Sequence, residues 1–130
     1  MNEQDKQLLL KDLCARLLYG VIVHIRYESS EPCYGKLSAL DIDLFIKSKI
    51  KIIKPYLRPL SSMTFEERSF CLKRGTIGYD ENDKIFDVYP YGLEKTIEVI
   101  DFLNAHHFDY RGLIEKGLAL EAPEGMYEVN

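Results

Sequence analysis

The chain has 130 residues, 46% of them hydrophobic and 29% charged, with a formal net charge of −4. That balance excludes a largely disordered chain, a collagen-like repeat and a disulfide scaffold, and it is the size of one ordinary domain. No apolar run approaches the roughly 18 residues that a membrane span requires, and the polar start Met1-Asn2-Glu3-Gln4-Asp5-Lys6 has no leader-like character. The expectation is one α+β domain over residues 1–130, cytoplasmic, with no membrane association.

Residues 4–18 read as an amphipathic helix. Leu9, Leu10, Leu13, Cys14 and Leu17 recur at helical spacing, while Lys6, Lys11, Asp12 and Arg16 take other positions. Asn2 is placed to cap its start and Gly20 to end it. A strand follows over 21–27, with Val21, Val23, Ile25 and Tyr27 on one face. Residues 28–32 form a turn. Further strands are predicted over 33–40 and 44–53. In the second, Ile46, Ser48, Ile50 and Ile52 alternate with Lys47, Lys49 and Lys51. Three sequential strands imply a small antiparallel meander, open to curling toward a barrel and flanked by N-terminal and C-terminal helices.

Pro55 and Pro59 should end the sheet. Thr64 and Glu67 have capping-box spacing for a short helix that stops near Gly75. Residues 76–79 and 84–89 suit a hairpin across Asp80-Glu81-Asn82-Asp83. A last long helix spans 93–105, with a stripe of Leu93, Ile97, Ile100 and Leu103. Asp109 is expected to cap one helical turn over 110–116, closed by Gly117. The apolar residues of 108–120 should pack back on the domain. The tail, broken by Pro123 and Gly125, is mixed.

Charge is unevenly spread. Residues 1–74 carry 13 Lys+Arg against 9 Asp+Glu, and residues 75–130 carry 4 against 12. Either the two halves pair within the fold, or they present a basic and an acidic face, which favours head-to-tail association or an acidic partner. Cys14, Cys33 and Cys71 are odd in number and widely spaced, which favours free thiols, buried as small hydrophobes, over a metal cluster. Cys33, beside Pro32, is the one expected to be most exposed.

Two groups of residues invite a functional reading. Lys47, Lys49, Lys51 and Lys54 are the candidates for polyanion contact. On one strand face the first three would lie about 6.6 Å apart, near the phosphate spacing of a nucleic-acid strand, with Tyr27, Tyr34 or Tyr56 available for stacking. The solvated-face reading carries more weight. The second group is His106-His107-Phe108-Asp109-Tyr110-Arg111, in which His106, His107, Asp109 and Arg111 form a candidate polar site. His107 and Asp109 could share an ion, but the only histidine outside the cluster is His24, so no metal is expected. The favoured reading is a helix exit, with cationic His at the helix C-terminus and Asp109 capping the next turn. Cys14, His24 and Asp109 can be assembled as a nucleophilic site on paper, and nothing in their spacing requires it. There is no GxSxG, P-loop or GxGxxG. Asp80, Glu81 and Asp83 lack the arrangement of a calcium loop.

The segments 54–64 (Lys-Pro-Tyr-Leu-Arg-Pro-Leu-Ser-Ser-Met-Thr), 106–120 (His-His-Phe-Asp-Tyr-Arg-Gly-Leu-Ile-Glu-Lys-Gly-Leu-Ala-Leu) with Met126-Tyr127, and 10–17 with Tyr19-Gly20 cover about half the chain. They resemble an uncharacterised family of short proteins of Bacteroides-type bacteria, their phages and mobile elements. Members of that family often have a longer middle, where residues 76–90 here are short and polar. The resemblance implies a setting, a cytoplasmic bacterial protein of phage or mobile-element origin, and no activity, cofactor or catalytic residue. The expected function is a non-enzymatic protein-interaction module that self-associates. The alternatives are a weak nucleic-acid binder using the lysines and an enzyme or metal site at the His106–Arg111 cluster. No cofactor is expected.

Overall fold

Asn2 begins the first helix as expected: its side-chain oxygen accepts from the Asp5 amide at 2.7 Å. In the computed structural model, which describes residues 1–28 and 30–127, α1 runs Glu3–Arg16. It tightens into a 3₁₀ turn and ends at left-handed Gly20 (φ 71°). Its inward face is Leu9, Asp12, Leu13 and Arg16, so two of the four buried positions are charged. Cys14, placed on the apolar stripe from sequence, is exposed. Cys33 is exposed too, and only Cys71 is a buried thiol. The predicted turn over 28–32 includes Ser29, outside the described residues, as are the last three residues of the tail.

β1 (Ile22–Tyr27) alternates as predicted, with Val23 and Ile25 inward. It pairs antiparallel with β2 (Cys33–Lys36), which is exposed throughout and forms the sheet's edge. The predicted strand 33–40 stops at Lys36, because Ser38 opens α2 (Ala39–Ile46). Its hydroxyl accepts from the Asp41 amide at 3.2 Å, and the Asp41 carboxylate accepts from the Ser38 amide at 3.0 Å. A helix that buries Ile42 and Phe45 therefore takes residues 44–46 of the predicted strand 44–53, of which residues 50–53 are strand. The alternation of Ile46 through Ile52 is split between a helix end, a turn at Ser48 (φ 59°) and the start of β3.

β3 (Ile50–Pro59) pairs antiparallel with β1 and turns Ile53, Pro55 and Leu57 inward. It runs through both prolines expected to end it, and hydrogen-bond direction explains how. Leu57 O accepts from Ala122 N, while Arg58 N donates to His107 O. These two groups belong to one peptide unit and point to opposite edges of β3. Pro55, Leu57 and Pro59 thus face the edge where β7 (Leu120–Glu121) pairs only with Tyr56 and Leu57. The missing proline donors fall just outside that short pairing. β6 (Phe108–Asp109) lies on the other edge. Both short strands run parallel to β3, so the sheet is mixed rather than an antiparallel meander, and it does not close into a barrel.

Thr64 and Glu67 form the predicted capping box of α3 (Phe65–Leu72). The hairpin is present as β4 (Gly75–Tyr79) and β5 (Ile85–Pro90), its turn held by Asp80 Oδ1, which accepts from the Asn82 and Lys84 amides. α4 (Gly92–Ala105) buries Val99, Leu103 and Asn104. Leu93 and Ile97, assigned to its inner stripe from sequence, are 78% and 53% exposed. After α4 the chain packs back as expected through Phe108, Leu113, Leu118 and Ala119, although residues 110–117 form turns rather than a helical turn.

The buried residues form two clusters. One gathers α1, β1, α2 and β3 around Leu13, Val23, Ile53 and Leu57; the other gathers α3, the hairpin and α4 around Cys71, Ile85, Val99 and Phe108. The structure is a small α+β fold, and among the described residues no helix is long and apolar enough to cross a membrane.

Candidate functional site

The His-rich corner is built by the end of α4. His106 N and His107 N donate to Phe102 O and Asn104 O, and His107 takes a left-handed conformation (φ 64°) that turns the chain into β6. Its ring lies on Tyr127, centroids 3.7 Å apart. Burial, and after it the charges of Arg16, His106 and Arg58, push its pKa down to about 4. His107 is therefore neutral at pH 7 and is not the cationic His expected at the helix end. Its Nδ1 is buried without a hydrogen-bond partner.

The other members of the cluster point elsewhere. His106 Nδ1 sits 3.5 Å from Glu67 Oε2. Asp109 accepts from the Leu113 and Ile114 amides at 2.9 and 3.0 Å, the capping role foreseen for it. Arg111 Nε turns inward to Asp12 Oδ1 at 3.4 Å. The four side chains do not converge, and among the described residues no three His, Cys, Asp or Glu groups are placed to hold a metal ion. His24 and Cys14 belong to β1 and α1, on residues paired or exposed away from this corner.

The lysines do not form a one-faced stripe. Lys47 caps the end of α2 and pairs with Asp43 at 3.0 Å. Lys49 precedes β3, and Lys51 and Lys54 stand three residues apart on that strand, hence on opposite faces. Lys49 and Lys51 border a small recess with Glu28.

A broad concavity lies at the far end of β3. One recess of about 980 Å³ is lined by Arg58, Glu67, His106, His107, Glu121, Glu124 and Tyr127, among others. A second, of about 330 Å³, has an apolar floor of Pro59, Leu60, Ile85, Phe86 and Ile114 and the carboxylates Asp109, Glu115 and Glu121. Pro59 and Glu121 line both recesses, which we refer to together as the trough; Phe86 of the hairpin lines one of them and Tyr127 the other.

The charge of this trough is decided by how its arginine is used. Arg58 makes a two-pronged bond to Glu67, Nη1 to Oε2 at 2.8 Å and Nη2 to Oε1 at 2.7 Å, with its guanidinium over the Phe108 ring. Burial pushes the Glu67 carboxyl up, but the Arg58 bond, the Thr64 amide and the nearby positive charges outweigh it, leaving the pKa below its ordinary value. Arg58 is thereby neutralised. Glu115, Glu121 and Glu124 remain exposed, and among the described residues none of them has an ion-pair partner.

Tyr127 closes the trough. Its hydroxyl accepts from Ile22 N at 2.8 Å and donates to Tyr56 O at 2.8 Å, bridging β1 and β3 where their ladder ends. Burial raises its pKa to about 12. Sequence reading missed Phe86, Glu115, Glu121 and Tyr127 as site residues. The available signal was the acidic excess after residue 75 together with an aromatic in the tail. No family profile, curated protein or solved structure matches the chain.

Proposed function

We propose that this protein is a non-enzymatic protein-interaction module whose trough holds a basic, partly apolar segment of a protein partner. The observation that carries the reading is the apolar floor around Pro59, Ile85 and Phe86 rimmed by carboxylates without cationic partners, while the one arginine of the trough is bound to Glu67. Such a surface suits side chains with an aliphatic stem and a cationic head, which bury the stem and keep the charge at the rim. In the His106–Arg111 corner Asp109 is engaged by backbone amides, His106 faces Glu67 and Arg111 faces Asp12, so the side chains do not converge, which weighs against an acid–base constellation. The nucleic-acid alternative depended on Lys47, Lys49 and Lys51 sharing one strand face; Lys47 ends α2, Lys49 lies in the link before β3 and Lys51 is on β3, a spread that favours the protein reading. The cytoplasmic and phage or mobile-element setting belongs to this proposal on the strength of the sequence resemblance alone.

Fluorescence anisotropy with a labelled Lys/Ile-alternating hexapeptide tests it. Binding is expected at low salt, weakening at least about tenfold between 50 and 500 mM NaCl as exposed charges are screened, and lost in Glu115→Gln/Glu121→Gln. Equal binding of a Glu/Ile-alternating peptide, or no binding at low salt, would overturn the reading.

A further inference from the structure

We infer that the basic segment seated in the trough is the α2–β3 corner of a second copy of this chain. This inference rests on the interaction-module reading and names its partner. Ile46, Lys47, Ser48 and Lys49 form a continuous exposed turn, with Ile46 53% exposed. The turn projects because Ser48 takes a left-handed conformation (φ 59°) and the chain reverses there from helix into strand. An isoleucine beside two lysines matches a trough with an apolar floor and an acidic rim. Lys6 joins the same corner through its bond to Ser48 Oγ at 3.0 Å. Asp43, paired with Lys47, and Glu28, beside Lys49, are the acids nearby. The Asp43–Lys47 pair is exposed, and such pairs are readily exchanged for another partner.

The two surfaces cannot meet within one molecule. The corner lies at the N-terminal end of β3 and the trough at its C-terminal end, and ten strand residues separate them by about 30 Å. Contact between two different surfaces of one chain is heterologous, so copies join head to tail, in line with β3, and close into a ring or grow as an open chain. The basic first half and acidic second half of the sequence become the two faces of this contact.

Sedimentation velocity on the full chain, from about 10 to 500 µM, is the test. The wild type should gain weight-average mass with concentration at 50 mM NaCl and return to monomer at 500 mM. A corner variant, Lys47→Gln/Lys49→Gln, and a trough variant, Glu115→Gln/Glu121→Gln, should each stay monomeric while keeping the wild-type circular dichroism. Mixed one to one, they should form a dimer and nothing larger, since one supplies only a trough and the other only a corner. A wild type that is monomeric throughout, variants that associate like it, or a mixture that stays monomeric would overturn the inference. If the chain is monomeric while the Lys/Ile peptide still binds, self-pairing falls and the interaction-module reading stands; if the peptide also fails to bind, both fall.

Discussion

Arg16 has no solvent exposure, yet it is the group that ties α1 to the rest of the fold. Its Nε donates to Asp12 Oδ2 at 2.9 Å and its Nη2 to Phe108 O at 2.7 Å, and Arg111 approaches the same carboxylate from the other side. One buried carboxylate thus serves two guanidiniums, and Arg16 Nη1 is left without a protein acceptor. Hydropathy periodicity could not show this. It sorts charged residues to the wet side of a helix, and here positions 9, 12, 13 and 16 are buried together because the two charges satisfy each other. Arg16→Met removes the guanidinium that bonds Asp12 and leaves this buried carboxylate only Arg111, at 3.4 Å, so it should cost about 3–5 kcal/mol of unfolding free energy. Removing both charges in Asp12→Leu/Arg16→Met should cost at least about 1 kcal/mol less than Arg16→Met alone, although Phe108 O still loses its donor. Urea denaturation of the single and double variants measures the difference; equal losses would mean that Arg16 acts by packing rather than by charge.

Elements whose local chemistry is self-contained were legible: α1 with its Asn2 cap, the Thr64–Glu67 box, the hairpin, and the extent of α4. Those that failed carried conflicting signals. Residues 44–52 alternate like a strand, but Ser38 and Asp41 form a capping box upstream, and the burial of Ile42 and Phe45 draws residues 44–46 into helix, so the strand starts only at Ile50. Pro55 and Pro59 read as terminators because the edge each would face is not visible without the partner strands. The hairpin offers a sharper test of local packing. A Cβ on Gly75 would run into the backbone of Tyr89 and Pro90, which cannot yield without breaking the β4–β5 register. At Gly78 it would meet only the rings of Tyr89 and Phe86, at 2.9 and 3.1 Å, and these half-exposed side chains can swing away. Gly75→Ala should therefore destabilise by about 1–3 kcal/mol, the range for overpacking, with faster hydrogen exchange across the hairpin. Gly78→Ala should stay within about 1 kcal/mol of wild type. Comparable losses in both would show that the hairpin shifts as a unit.

Across the whole molecule, the sheet is completed by the end of the chain, and that is where sequence reading was weakest. The tail reads as mixed because its contacts are made singly: Leu120 and Glu121 pair with β3, and Tyr127 alone spans β1 and β3. A periodic pattern cannot reveal a residue that works through one hydroxyl at a strand junction. The trough was hidden for the same reason, since its walls come from four separate stretches of sequence. Tyr127 separates the two tasks of this segment. In Tyr127→Phe the ring still lies against His107, but Ile22 N and Tyr56 O lose their partner. Leaving two half-buried backbone groups unpaired should cost about 1–3 kcal/mol, read as a lower urea midpoint and faster exchange of the Ile22 amide. Peptide binding in the trough should be retained, because its wall keeps its shape. In Tyr127→Ala the wall goes as well, so stability and peptide affinity should fall together. If Tyr127→Phe instead weakened peptide binding while leaving the urea midpoint unchanged, the hydroxyl would belong to recognition rather than to holding the sheet.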